Sequence, residues 1–147
     1  MPFSGRLIGR KRLYSASDVM LFAEAWLSLG VAALYLKLGP FERVMRCKPG
    51  REVGRAVSPE IDRLVWAVTA ARRRSWLRAK CIESALALRA MLQRRHVGST
   101  LHYGVRNAPG GNLQAHVWLS VNGQIVIGGG TAAQFTEIAT FSAPASA

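Results

Sequence analysis

Carboxylates are scarce in this sequence: 8 Asp and Glu stand against 20 Lys and Arg, for a formal charge of +12. Beyond Glu83 the only acidic side chain is Glu137. Such an excess suits a nucleic acid, an anionic membrane surface or an acidic protein partner. Much of it is arginine in short clusters, Arg72-Arg73-Arg74 and Arg94-Arg95, where a helix's last turn sets cations against its own dipole. Because the basic residues are not interleaved with aromatics and no groove-reading motif is present, nucleic acid is not an expected partner. Cysteine is equally scarce. Cys47 and Cys81 lie in segments of different character, neither CxxC nor clustered His/Cys spacing occurs, and no metal or other cofactor is expected. A secretory signal is not legible, the first apolar run beginning only near Val19, so the expected setting is cytoplasmic with free thiols. No internal repeat is visible.

What is present is enough for one real core: 147 residues, half of them hydrophobic. Met1 to Leu13 is basic and reads as loose. Ser15 and Ser17, with Asp18 in the first turn, cap a helix that runs to about Leu38 and stops at Gly39-Pro40. Val19 to Leu38 approaches the length of a membrane span, but Glu24 and Lys37 interrupt it and Ala, Ser and Gly dilute it. A buried or interface helix is the expectation, and no membrane partner. A further turn at Phe41 to Met45 and a Lys48-Pro49-Gly50-Arg51 linker follow. Ser58-Pro59-Glu60-Ile61-Asp62 starts a helix, with Leu64, Val65, Val68 and Ala71 at helical spacing and the arginines at 72–74 ending it. From about Lys80 to Arg95 an Ala/Leu-rich run predicts a central buried helix, closed by His96-Val97-Gly98.

From Thr100 the period changes to alternation. Leu101, Tyr103 and Val105 share one strand face, Asn107 to Asn112 forms a turn, and Leu113 to Val121 is a second strand. Asn122-Gly123 is a strong hairpin signal. In a two-residue hairpin Val121 faces Gln124 and Leu119 faces Val126, and extrapolation sets His116 opposite Gly129. After Gly128-Gly129-Gly130 one short element is expected around Phe135 to Ile138, then an Ala/Ser/Pro tail. The organisation expected is residues 1–57 as an N-terminal helical region and 58–147 as a core, together one compact unit.

Two residues carry the chemistry. Cys81 opens the Ala/Leu helix, where unpaired backbone N–H groups and the helix dipole stabilise a thiolate, with Arg74, Arg78 and Lys80 nearby in sequence. His116 lies in the second strand and can serve as its base. Either alone is ambiguous, since a cysteine on such a helix is more often a small core residue. A Cys at a helix start followed by a His in a strand hairpin is a cysteine-hydrolase pattern, and the fold class it predicts is α+β, a Cys-bearing helix packed on a small antiparallel sheet. His102, across its strand from Tyr103, Gln114, two residues before His116, and Trp118, on His116's face, are secondary candidates. A core tryptophan and a solvent-facing glutamine are the plainer readings of the last two.

The same residues carry a resemblance. Trp76, Cys81-Ile82-Glu83-Ser84-Ala85-Leu86-Ala87, Met91-Leu92-Gln93-Arg94-Arg95, Leu101-His102-Tyr103-Gly104-Val105 and Ala115-His116-Val117-Trp118-Leu119 with Asn122-Gly123 resemble the leader peptidase of lasso-peptide biosynthesis, a transglutaminase-like, papain-related cysteine protease. Asp18 to Leu38 with Pro40-Phe41 resembles that family's N-terminal part. The resemblance implies removal of the leader from a ribosomally made precursor peptide, a separate leader-recognition protein as partner, and a downstream ATP-dependent cyclase. It implies Cys81 as nucleophile and His116 as general base. The family's third member, an Asp after the hairpin, has no counterpart: Gly128-Gly129-Gly130 stands there. Either Glu137 folds back to orient the imidazole, or a backbone carbonyl, Thr131 or an amide does so, or the chain is a weakened or inactive peptide-binding subunit. The family's Pro before Trp76 and Gly after the paired arginines are here Ser75 and His96. A basic protein that binds nucleic acid or membrane is the remaining alternative.

Overall fold

The computed structural model describes residues 14–40, 58–74 and 81–143. The expected loose start, the turn at 41–45, the linker at 48–51, Cys47, and the turn carrying Ser75, Trp76, Arg78 and Lys80 lie outside them.

Helix α1 spans Ala16–Leu38. Its N-terminus is a reciprocal capping box: Ser15 Oγ accepts the Asp18 N–H and the Asp18 carboxylate accepts the Ser15 N–H at 3.1 Å. Helix α2 is Pro59–Arg74, with proline in the first position and Glu60 and Asp62 in the first turn. Helix α3 is Cys81–Arg94, with Ser84, Ala85, Ala87, Leu88, Met91 and Leu92 buried, as its composition predicts. It closes in a Schellman turn: the Val97 N–H donates to Leu92 O and the His96 N–H to Gln93 O, both at 3.0 Å. His96 takes the left-handed position at φ 57°. That is the physical reason a glycine suits the site, and why His96 is a departure borne by the turn alone.

The sheet is antiparallel, ordered β3-β2-β1-β4, from β1 (Ser99–Asn107), β2 (Leu113–Val121), β3 (Gln124–Ile127) and β4 (Thr136–Ala143). Asn122, at φ 54°, and Gly123, at φ 78°, make the two-residue hairpin, with Val121 opposite Gln124. The extrapolated register then slips. Ser120 pairs with Ile125 but Leu119 with Ile127, so Val126 is a bulge and β3 ends before any residue reaches His116. The short element expected near Phe135 is instead a 3-10 turn, Ala132–Gln134, followed by the eight-residue β4 alongside β1. A second bulge interrupts that pairing. Tyr103 faces Ala139 while Gly104 faces Glu137, leaving Ile138 unpaired and exposed.

Leu101, Val117, Leu119 and Val121 form one core with Ile61, Leu64, Val68, Leu88, Met91 and Leu92, so one sheet face meets the helices. This is the α+β arrangement expected, the Cys-bearing helix central among the helices and packed on β2. Helix α1 is clamped to its neighbours by ions: Asp18 to Arg63 at 2.8 Å, Glu24 to Arg95 at 2.8 Å and to Arg94 at 2.9 Å.

Hydrogen bonding from Arg95, reinforced by Arg94 and opposed by burial, holds the Glu24 carboxyl below its ordinary value. A carboxyl lowered on folding contributes stability above its unfolded value and loses it as pH falls through the folded one. Glu24→Gln is therefore expected to be less stable than the parent at pH 7, by about 1 kcal/mol or less for so exposed a pair. The difference vanishes well below pH 4.5. Thermal melts of both proteins from pH 7 to 3 check this; a gap that persists at pH 3 contradicts it.

Candidate active site

Cys81 is the first residue of α3, so its backbone N–H is among the four at a helix start without an intrahelical acceptor. Its thiol is free and half-buried, against the edge of the core. His116 lies near the start of β2. Strand alternation puts His116, Trp118 and Ser120 on one face and Val117, Leu119 and Val121 on the face that meets the helices. Among the described residues no hydrogen bond joins Cys81 to His116. Strand alternation turns the His116 side chain to the sheet face opposite the one that meets the Cys-bearing helix, so the described structure does not bring the two side chains together.

The His116 ring is positioned in detail. Nε2 lies 2.7 Å from the Gly128 carbonyl and 3.4 Å from Thr131 Oγ1. A carbonyl only accepts, so Nε2 carries the proton and Nδ1 is left with its lone pair, which is the atom a thiol can donate to. One side of the ring stacks on Trp118 (centroids 5.9 Å, 25°), and Phe135 contacts it at 5.0 Å. Phe135 lies under the Arg106 guanidinium at 4.7 Å, and Arg106 also donates to the Gln114 and Gln134 side chains. Gln114 is thus held through its amide oxygen by Arg106.

Two glycines make this close packing possible. A Cβ on Gly104 would sit 2.8 Å from the Trp118 ring, so the indole lies flat over β1 only because residue 104 has no side chain. Gly128, at φ 79°, has its Cβ direction blocked by Val117 O at 2.8 Å and the Trp118 Cβ at 3.0 Å. The tight approach that brings its carbonyl to His116 leaves no room for an aspartate at that residue.

Glu137 does not reach His116. It accepts from His102 Nδ1 at 2.7 Å, while His102 Nε2 lies 2.7 Å from Ser120 Oγ. The bulge at Ile138 sets Glu137 beside Gly104, on the face that His102 and His116 share, and there His102 engages its carboxylate. His102 in turn stacks on Trp118 (5.5 Å, 1°), so the indole contacts both imidazoles. What lies against His116 Nε2 is the Gly128 carbonyl and the Thr131 hydroxyl. Sequence reasoning could name a carbonyl as one option; only the bulged register and the Gly128 turn select this one.

Among the described residues no three His, Cys, Asp or Glu side chains are grouped to hold a metal. A cleft of about 630 Å³ opens between α1 and α2, lined by Met20, Glu24, Arg63 and Arg95, and it shares no lining residue with the histidine cluster. Neither a curated protein nor a solved structure matches the chain. The model of one family, the transglutaminase-like superfamily, matches residues 25–140, from within α1 through most of β4 and across both Cys81 and His116. With a cysteine opening the buried helix and a histidine on the hairpin that packs beside it, the chain belongs to the transglutaminase-like superfamily.

Proposed function

We propose that this chain is a cysteine peptidase that removes the leader from a ribosomally made lasso-peptide precursor, acting in the cytoplasm with a separate leader-recognition protein and upstream of an ATP-dependent cyclase. The observation that carries the chemistry is the His116 tautomer: Nε2–H on the Gly128 carbonyl, with Nδ1 unpartnered among the described residues. The Gly104-Val105 and Ala115-His116-Val117-Trp118 sequences, which give the resemblance, acquire a physical role in the Trp118 seat.

The mechanism requires the two side chains to meet, His116 turning from its own face of the sheet toward the start of the Cys-bearing helix; Nδ1 then takes the Cys81 proton and the thiolate attacks the scissile carbonyl carbon at the leader's end. The resulting oxyanion is met by the backbone N–H of Cys81. The C–N bond breaks, His116 returns the proton to the departing amine, and a thioester joins the leader to Cys81. Water, deprotonated by the same nitrogen, hydrolyses it.

A second reading, an inactive peptide-binding subunit, is favoured by one observation, that among the described residues no carboxylate pairs with His116 to offset imidazolium. Mass-spectrometric assay of cognate precursor with the recognition protein separates the two. Because Glu137 serves His102, Glu137→Gln is expected to retain cleavage within about threefold, far from the roughly 10⁴ that loss of a true orienting acid costs. Precursor bound but uncut by the parent protein establishes the binding subunit instead.

A further inference from the structure

Helix α1 is apolar on both sides. Its inner side packs Ala25, Leu29 and Ala32 against α2 and α3. Its outer side presents Met20, Trp26, Leu27, Val31, Leu34 and Leu38, from 48 to 78 % exposed. Helical spacing places Ala23 and Gly30 among them; Lys37 lies on that side, and Glu24 falls at its edge beside Val31, where it is paired with Arg94 and Arg95. A helix that is apolar all round is covered all round in its working state.

By length and mean hydropathy, 1.8 over its best window, α1 could cross a bilayer. Its inner side forbids that, being tied by Asp18 to Arg63 and by Glu24 to Arg94 and Arg95. What remains open is a helix lying flat, one side on the protein and the other on its cover.

Charge and hydrogen-bonding capacity choose the cover. In sequence α1 is bracketed by cations: Arg6, Arg10, Lys11 and Arg12 precede it, and Arg43, Arg46, Lys48, Arg51 and Arg55 follow with only Glu42 and Glu52 among them. A second copy, also at +12, is repelled. A protein surface ordinarily exchanges a hydrogen bond for every ~100–200 Å² it covers, whereas this face offers almost no donor or acceptor. Hydrocarbon asks for none, and anionic headgroups attract the flanking cations. Trp26 and Tyr35 fall by helical spacing on the two margins of the face, and Tyr14 stacks on the part-exposed Trp66 at its start. Such amphipathic rings settle at a lipid–water boundary.

We propose that the outer face of α1 seats this protein on an anionic lipid surface, helix axis parallel to the membrane and side chains at the headgroup–acyl boundary. This departs from the sequence expectation of no membrane partner. The run of apolar residues reads as a buried or interface helix, and among the described residues its outer half has no protein against it. The proposal is independent of the peptidase reading.

Flotation of the full chain with phosphatidylcholine vesicles, alone and with about a third phosphatidylglycerol, tests it. The expected result is binding to the anionic vesicles only, weakened by salt and reduced at least tenfold in Leu27→Glu/Leu34→Glu at unchanged helicity. If that variant fails to fold, brominated-lipid quenching of the unsubstituted chain decides, since Trp26 at the boundary is quenched. Binding that ignores the double substitution, absence of quenching, or a parent protein that is dimeric while the variant is monomeric overturns the proposal.

Discussion

Cys81→Ala and His116→Ala are each expected to abolish precursor cleavage, and the double variant to be no worse than either. Nucleophile and base act as a unit, so removing one removes the function of both. The size of the loss can be bounded. An intact three-membered site is worth on the order of 10⁶ in kcat, and a missing orienting acid costs about 10⁴. With a carbonyl in the acid's place, the parent stands between those limits, and the loss on removing Cys81 falls between about 10² and 10⁶. Even the lower bound is measurable by following leader release with mass spectrometry. Equal losses in all three variants establish the pair. A Cys81→Ala protein that still cleaves at a tenth of the parent rate removes the cysteine mechanism from consideration.

Thr131→Asp is expected to raise cleavage, by at least tenfold and by no more than about 10⁴, the full worth of an orienting acid. Thr131 Oγ1 already lies 3.4 Å from His116 Nε2, its backbone is at φ −121°, which any residue adopts, and its side chain is exposed. An aspartate there places a carboxylate oxygen one atom further out, within reach of the same N–H. A neutral carbonyl and hydroxyl hold the ring's orientation but do little for the positive charge that appears on it during attack, whereas a carboxylate favours the charged ring. Gly128→Asp is expected to fail, because its Cβ would lie 2.8 Å from Val117 O at a left-handed backbone angle. Single-turnover cleavage rates of the two variants against the parent distinguish them. If Thr131→Asp leaves the rate unchanged, the Gly128 carbonyl already supplies what an acid would.

Much of this architecture could be read from the residues, and the parts that could not share a cause. The capping box at Ser15 and Asp18, the Ser58-Pro59 helix start and the Asn122-Gly123 hairpin are local devices, settled within four residues of chain. The cysteine's place at a helix start follows from the same local reading. What failed was longer range and one residue wide. The bulges at Val126 and Ile138 have no signature of their own, yet the first ends β3 short of His116 and the second delivers Glu137 to His102. Strand β4 was hidden by its pattern, since its two large apolar residues, Ile138 and Phe141, stand three apart among Thr, Ala and Ser and do not mark one alternating face. The missing acid was legible; its replacement, a main-chain oxygen, was only one of several options, because every residue carries one and only the fold says which is aimed.

The place of β4 has a consequence for how the protein is made. Strands β1, β2 and β3 are contiguous and can pair as soon as they leave the ribosome, but the fourth strand closes the far side of β1 from about thirty residues further along the chain. During synthesis β1 is therefore a bare edge, with His102 lacking its carboxylate until Glu137 arrives. The nascent chain carries an open sheet margin at the moment it is most concentrated around its own message, and strand β4, despite its bland sequence, is what converts a pairing hazard into an interior strand.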